Sequence, residues 1–211
     1  MRFYLSHLLS QVNYTEVNNE MALGHEVDFS LGIYDKLIFE CDELRKGVDL
    51  QNIFRSNMEL YDEIIKNAIE QHNRYRIEDG FDERTLLFIH LIRDGDKLDN
   101  FRVKEEERIE DLLYVSLEQV NQESISDKIY QQFSHEQLIY APDRQTHIDM
   151  WLSYIAFIFD LYFPCSIQYI QEYHWVERSF DRLSPVNPHV YQQYMTLKQI
   201  ALDYIQQRSK N

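Results

Sequence analysis

The stretch Thr85 to Arg102, TLLFIHLIRDGDKLDNFR, constrains this chain more than any other. Apolar residues recur through it at helical spacing and no proline interrupts it. Going round a helix at ~100° per residue, Asp96 falls between Ile89 and Ile92, and Asp99 between Phe88 and Ile92. Arg93, Asp94 and Lys97 gather on a different sector. This reading puts two carboxylates on an apolar face, where an uncompensated charge is expensive to bury. Such an acid needs a cation, a hydrogen-bond donor or a raised pKa. Arg93, Arg102 or Lys97 could supply the cation, and so could a metal ion.

Composition narrows the setting of that helix. Five Gly and four Pro in 211 residues leave few turns, which favours long helices with short connections over a many-stranded sandwich. The expected fold class is therefore all-α. A net charge of −15 repels nucleic-acid backbones and anionic lipid, so no nucleic-acid polymer and no membrane is expected as a partner. A small phosphorylated molecule stays compatible, because one local metal or arginine cluster reverses the field. Cys41 and Cys165 make neither a metal-binding cluster nor a disulfide framework. The apolar run MWLSYIAFIFDLYF, Met150 to Phe163, is too short to span a bilayer and carries Asp160. A cytoplasmic protein is expected.

Periodicity gives the remaining elements. Ala22 to Leu44 reads as a helix with Val27, Leu31, Tyr34 and Ile38 on its core stripe and His25 near its start. Leu60 to His72 reads as the next, with Tyr61, Ile65, Ala68, Ile69 and His72 as its apolar stripe. Asp79-Gly80 marks a turn, Asp82 an N-cap for the central helix, and Gly95 a permissive position within it. A residue that small beside Asp96 would allow a close approach to the backbone. The charged run KEEERIED after Val103 reads as a solvated helix face. Helical patterns continue at Leu112 to Val120, at Ser126 to Phe133 with Ser124 or Ser126 as cap, and at Ser166 to Phe180. His147 to Phe163 is apolar nearly all round and should run through the interior, and Val190 to Gln207 closes the chain.

A histidine at an inward helix end, an aspartate on a second inward face and a further histidine upstream are the raw material of a His/Asp metal site. Imidazole and carboxylate donors suit Mn, Fe, Co, Ni or Zn. The plainer alternatives are a helix-end histidine and a pair of acids held by neighbouring cations.

Tyr61 to Val103, YDEIIKNAIEQHNRYRIEDGFDERTLLFIHLIRDGDKLDNFRV, resembles the second half of an HD-domain phosphohydrolase. Members of that superfamily carry a similar H-N before a loop and then an I-R-D-A-D-K-L-D helix. Downstream, SISDKIYQQF and SYIAFIFDLYF resemble the C-terminal helical extension of bacterial HD proteins. The resemblance implies an HD-like helical bundle over residues 1–105, continued by a helical extension over residues 106–211 in the same body. It implies a divalent metal as cofactor (Mn, Fe, Co, Ni, Zn or Mg), with Asp96, His72 and His25 as ligands. His25 enters because NNEMALGHE resembles the family's N-D-x4-D-H-A pattern. Aligning Asp28-Phe29 on the Asp-His of that pattern instead would put phenylalanine at a ligand position. Arg93 and Lys97 are the candidates to meet a substrate's charge, and Asp99, one helical turn beyond Asp96, the candidate to orient a metal ligand or hold a bond to one.

One departure bears on activity. The superfamily's name-giving His-Asp pair does not occur before residue 25, and Met1-Arg2-Phe3 resembles the residues that come directly after H-D-I-G in the superfamily. Without that pair the metal loses half its usual ligands, so weak metal binding and little hydrolysis are expected. The alternative expectation is a non-catalytic small-molecule-binding or regulatory helical protein.

Overall fold

The computed structural model of the protein describes residues 63–209. The expected helix Ala22 to Leu44, with His25 and Cys41, lies outside them, as does Tyr61. Every regular element among the described residues is helical, so the fold is all-α there. No helix among them is long and apolar enough to cross a membrane. The chain divides into two compact units, Met1–Gly95 and Asp96–Asn211.

The described part of the first unit begins with helix α1 at residues 63–71. Ile64, Ala68 and Gln71 are its buried positions, the i, i+4, i+7 pattern of a core stripe. Of the expected stripe Ala68 is buried, whereas Ile64 and Gln71 are buried in place of Ile65, Ile69 and His72. Ile69 is 55% exposed, and the helix ends before His72. Gln71 tolerates burial because its amide is satisfied: Nε2 donates to Glu78 Oε2 at 3.0 Å, and Glu78 N–H donates to Gln71 Oε1 at 3.1 Å.

Helix α2 runs Glu83–Glu106 and carries the central stretch. Its start agrees with the sequence reading. Asp82 accepts from the Thr85 N–H at 2.8 Å and from the Thr85 hydroxyl at 2.9 Å, satisfying one of the orphan donors of the first turn. These bonds hold the Asp82 carboxyl below its ordinary range, the Thr85 amide contributing most. A Cβ built on Gly95 meets nothing within 4 Å, so packing does not require a glycine there.

The second unit completes α2 and adds α3 (Ile109–Leu113), α4 (Leu117–Gln122), α5 (Asp127–Ser134), α6 (His147–Ile155), α7 (Pro164–Glu172), α8 (Trp175–Asp181) and α9 (Pro188–Arg208). Two expected helices are each broken once. Leu112 to Val120 is interrupted at Tyr114, in the left-handed region at φ 60°. Ser166 to Phe180 is interrupted at His174, φ 53°. Neither residue is a glycine or a proline, so no punctuation announced the breaks. The solvated reading of KEEERIED holds at Glu106, Glu107 and Arg108, which are exposed, but Ile109 is buried and Lys104 half-buried.

The core gathers on α6. Ile148, Trp151, Leu152 and Ile155 are at most 1% exposed. The expected continuous helix to Phe163 instead tightens into a 3-10 turn at Ala156–Asp160, which keeps Ile158 buried. Phe159 is half-exposed but packs edge-on against Phe133 and Tyr204, with centroids 5.1 and 4.9 Å away. Helices α5, α7 and α8 pack on α9, whose Val190, Tyr194, Leu197, Ala201 and Ile205 are buried.

The start of α6 is fixed by two carboxylates. Thr146 and Asp149 form a capping box. Asp149, fully buried, also accepts from Ser126 N–H at 3.0 Å, Gln145 N–H at 2.9 Å and the Ser126 hydroxyl. Ser126 is the N-cap residue of α5, but its hydroxyl serves Asp149 and not its own helix. Glu123 accepts from the backbone N–H of His147 at 2.6 Å and of Ile148 at 3.2 Å, and from the His147 ring at 2.6 Å. Anionic oxygens at a helix N-terminus meet both its free donors and its positive dipole end.

Candidate functional site

The angular reading of α2 picked the wrong face. Arg93, Asp94 and Lys97 are the buried polar residues, at 2%, 0% and 4% exposure. Asp96 is exposed, and Phe88, Ile92 and Asp99 beside it are half-exposed. The helix has apolar residues on nearly every sector, so sequence angles alone do not select its buried side. Its buried side instead contains Ile89, Leu91, Leu98 and Phe101 together with the three charged residues.

The buried cations are engaged in holding backbone and side chains. Arg93 sends Nη1 to the carbonyls of Gln71 at 3.2 Å, His72 at 3.0 Å and Arg74 at 2.5 Å, and Nη2 to Tyr75 O at 3.3 Å. The carbonyls at the C-terminus of α1 lack intrahelical partners, and a cation there also complements the dipole. A planar guanidinium can serve several carbonyls at once, which a lysine cannot. In the second unit, Lys97 Nζ lies 2.9 Å from Asp160 Oδ2, with side-chain exposures of 5% and 29%. That pair ties α2 to the 3-10 turn after α6.

The candidate ligands each have local partners of their own. His72 is half-buried just past α1, and its Nδ1 lies 2.6 Å from Ile69 O. Only a protonated nitrogen can bond a carbonyl, so Nδ1 carries the hydrogen and a neutral ring keeps Nε2 as its acceptor. Imidazoles that ligate metals commonly adopt this arrangement, and so do ordinary helix-end histidines. Asp96 has its carbonyl bonded by Asn100 Nδ2 at 2.9 Å. Asp99 pairs with Arg102 Nε at 2.8 Å on a partly exposed face, the plainer of the two alternatives for this acid. His25 lies outside the described residues. Among the described residues, no group of three or more His, Cys, Asp or Glu side chains is gathered to hold a metal ion. They do not by themselves supply the donor set that the resemblance implies.

Sequence reasoning missed the Glu123–His147–Asp149 junction. Part of it was legible, because Thr146-His147-Ile148-Asp149 has the capping-box spacing ahead of an apolar run. Glu123, over twenty positions upstream, carried no such signal.

No family model, curated relative or solved structure matches this chain.

Proposed function

We propose that this chain is an HD-superfamily phosphohydrolase-like helical protein in which residues 63–209 act as scaffold, with little or no hydrolysis of its own. The observation that carries the reading is the engagement of the three candidates for substrate chemistry. Arg93 is committed to four carbonyls at the end of α1 and in the loop after it, Lys97 to Asp160 and Asp99 to Arg102. A phosphate ester arriving at Arg93 or Lys97 would have to displace these bonds in a buried setting, where an unpaired polar group costs about 1–3 kcal/mol. The relation to the superfamily rests on the IRDGDKLD segment and the His72-Asn73 pair before its loop. The substrate class it implies is a small phosphate ester.

The test is a panel of nucleotides and phosphomonoesters with added Mn, Co, Ni or Mg, run on the wild type and His72→Ala. Turnover near background in both is expected. Robust turnover by the wild type, lost in His72→Ala, would overturn the reading. Metal content of the purified protein separates the rest: folded, metal-free protein without turnover fits a non-catalytic binding or regulatory role.

A further inference from the structure

Helix α3 ends on a residue that its own geometry does not favour. Tyr114 caps it at φ 60° and ψ 23°, with its N–H donating to Glu110 O at 2.9 Å. Many helices end in this left-handed conformation, but glycine or asparagine ordinarily fills it, because a Cβ there crowds the next carbonyl. For a bulky aromatic residue it is an outlier. Glu136 and His174 are the other non-glycine residues with positive φ among those described. Both are polar, and the His174 ring lies 3.4 Å from Glu177 Oε1. The Tyr114 ring gains no packing in exchange. At 88% exposure it is the most exposed large apolar side chain among the described residues. Leu112, Val115 and Leu117, on either side of it in sequence, are only half-buried. A strained residue kept with its ring in solvent points to a role outside the fold.

The charge around this turn selects what can cover it. From Ile109 to Asp127 the sequence has five carboxylates, Glu110, Asp111, Glu118, Glu123 and Asp127, and no lysine or arginine. Asp111 and Glu118, which flank Tyr114 in sequence, are exposed, whereas Glu123 is taken up by the N-terminus of α6. Arg108, the nearest cation in sequence, faces Glu110 at 3.5 Å. A second copy of a chain with net charge −15 would bring like charge to this surface. Complementarity therefore favours a cationic partner. Between the two common cations, a guanidinium stacks on an aromatic face and can take a carboxylate with two parallel bonds, whereas an ammonium is a point charge without that planar fork.

We propose that the turn between α3 and α4 docks an arginine-rich segment of a partner protein, with one guanidinium stacked on the Tyr114 ring and others paired with Asp111 and Glu118. The half-buried Leu112, Val115 and Leu117 supply apolar surface for the stems of the arginine side chains. Every residue involved belongs to the second unit, so the proposal does not rest on the phosphohydrolase reading and can fail separately from it.

The experiment uses the full chain labelled with ¹⁵N and titrated at constant ionic strength with an octa-arginine peptide and, in parallel, an octa-lysine peptide. The amides of residues 112–117 are expected to shift saturably with octa-arginine, which should bind at least ~3-fold tighter than octa-lysine. Tyr114→Gly should remove that preference while leaving Tm at or above the wild-type value, because glycine suits the left-handed cap. Tyr114→Phe should keep the preference, and Tyr191→Ala, on another exposed tyrosine, should leave it unchanged. Equal binding of the two peptides by the wild type, or a preference that survives in Tyr114→Gly, overturns the proposal. A Tm several degrees lower in Tyr114→Gly also overturns it, by showing that the ring serves the fold. So does dimerisation of the wild type that Tyr114→Gly abolishes, since the occupant would then be a second copy.

Discussion

In residues 63–95, Arg93 sets the local geometry by gathering the carbonyls that end α1. In residues 96–209, α6 does so through the apolar side chains of Ile148, Trp151, Leu152 and Ile155. The first arrangement is directional and depends on one planar cation. The second is spread over many contacts and is roughly proportional to apolar area removed from water. The two should therefore fail differently. A lost fork loosens one loop, whereas a charge in the apolar centre undermines the whole unit.

The largest expected effect comes from Ile155→Asp. Ile155 is 1% exposed, and an unpaired carboxylate there should cost more than ~4 kcal/mol. Denaturant unfolding of the variant checks it, and unchanged stability would show that α6 is not the centre of its unit. Arg93→Ala should cost ~3 kcal/mol by taking the guanidinium away from four carbonyls that are buried or part-buried. Its signature is local: hydrogen exchange should rise at residues 71–78 before it rises at 145–155. Arg93→Lys should recover only part of the loss, since an ammonium lacks the fork. Asp149→Ala should reverse the pattern, raising exchange at 126 and 145–149 first, at ~2–3 kcal/mol. If the two variants loosen the same amides, the contrast between the regions is wrong.

How far the sequence revealed these regions depended on where each partner sits. The start of α2 was legible because Asp82 and Thr85 are three residues apart and capping is local chemistry. The interior position of α6 was legible because its sequence is apolar on nearly every side. The buried face of α2 was not. Arg93 and Lys97 go inside because they bond to residues 71–75 and to Asp160, and neither partner leaves a periodic trace in the helix itself. Charged residues are rarely buried unless paired, so an angular argument without the partners could only place them on a sector apart from the two aspartates. The same limit applies to Glu123, whose partners are the backbone of a helix not adjacent in sequence.

Gly95 offers a smaller, stabilising test at the end of the first unit. It sits inside α2 with open space where a Cβ would go. Gly95→Ala should therefore raise stability by ~1 kcal/mol, read as a higher Tm. A lower Tm would mean that something does approach the backbone there, as a small residue beside Asp96 suggests.

The smallest expected effect compares one carboxylate from each region. Asp82 is held below its ordinary pKa chiefly by the Thr85 amide, and Asp143 by the Lys128 ammonium and then the Gln132 amide. A depressed folded-state pKa means that the unfolded chain binds the proton more readily. Each group therefore contributes stability above the ordinary carboxylate range and loses it as pH falls through the lower folded value. Asp82→Asn and Asp143→Asn should each flatten the acid limb of a stability-versus-pH curve. Salt separates them. The Asp143–Lys128 ion pair has its lysine exposed to solvent and should weaken as ionic strength rises. The Asp82 cap is a neutral-donor hydrogen bond within one turn, and its contribution should persist. Equal salt sensitivity in the two variants would show that the Asp82 cap depends on longer-range charge and not on the Thr85 donors.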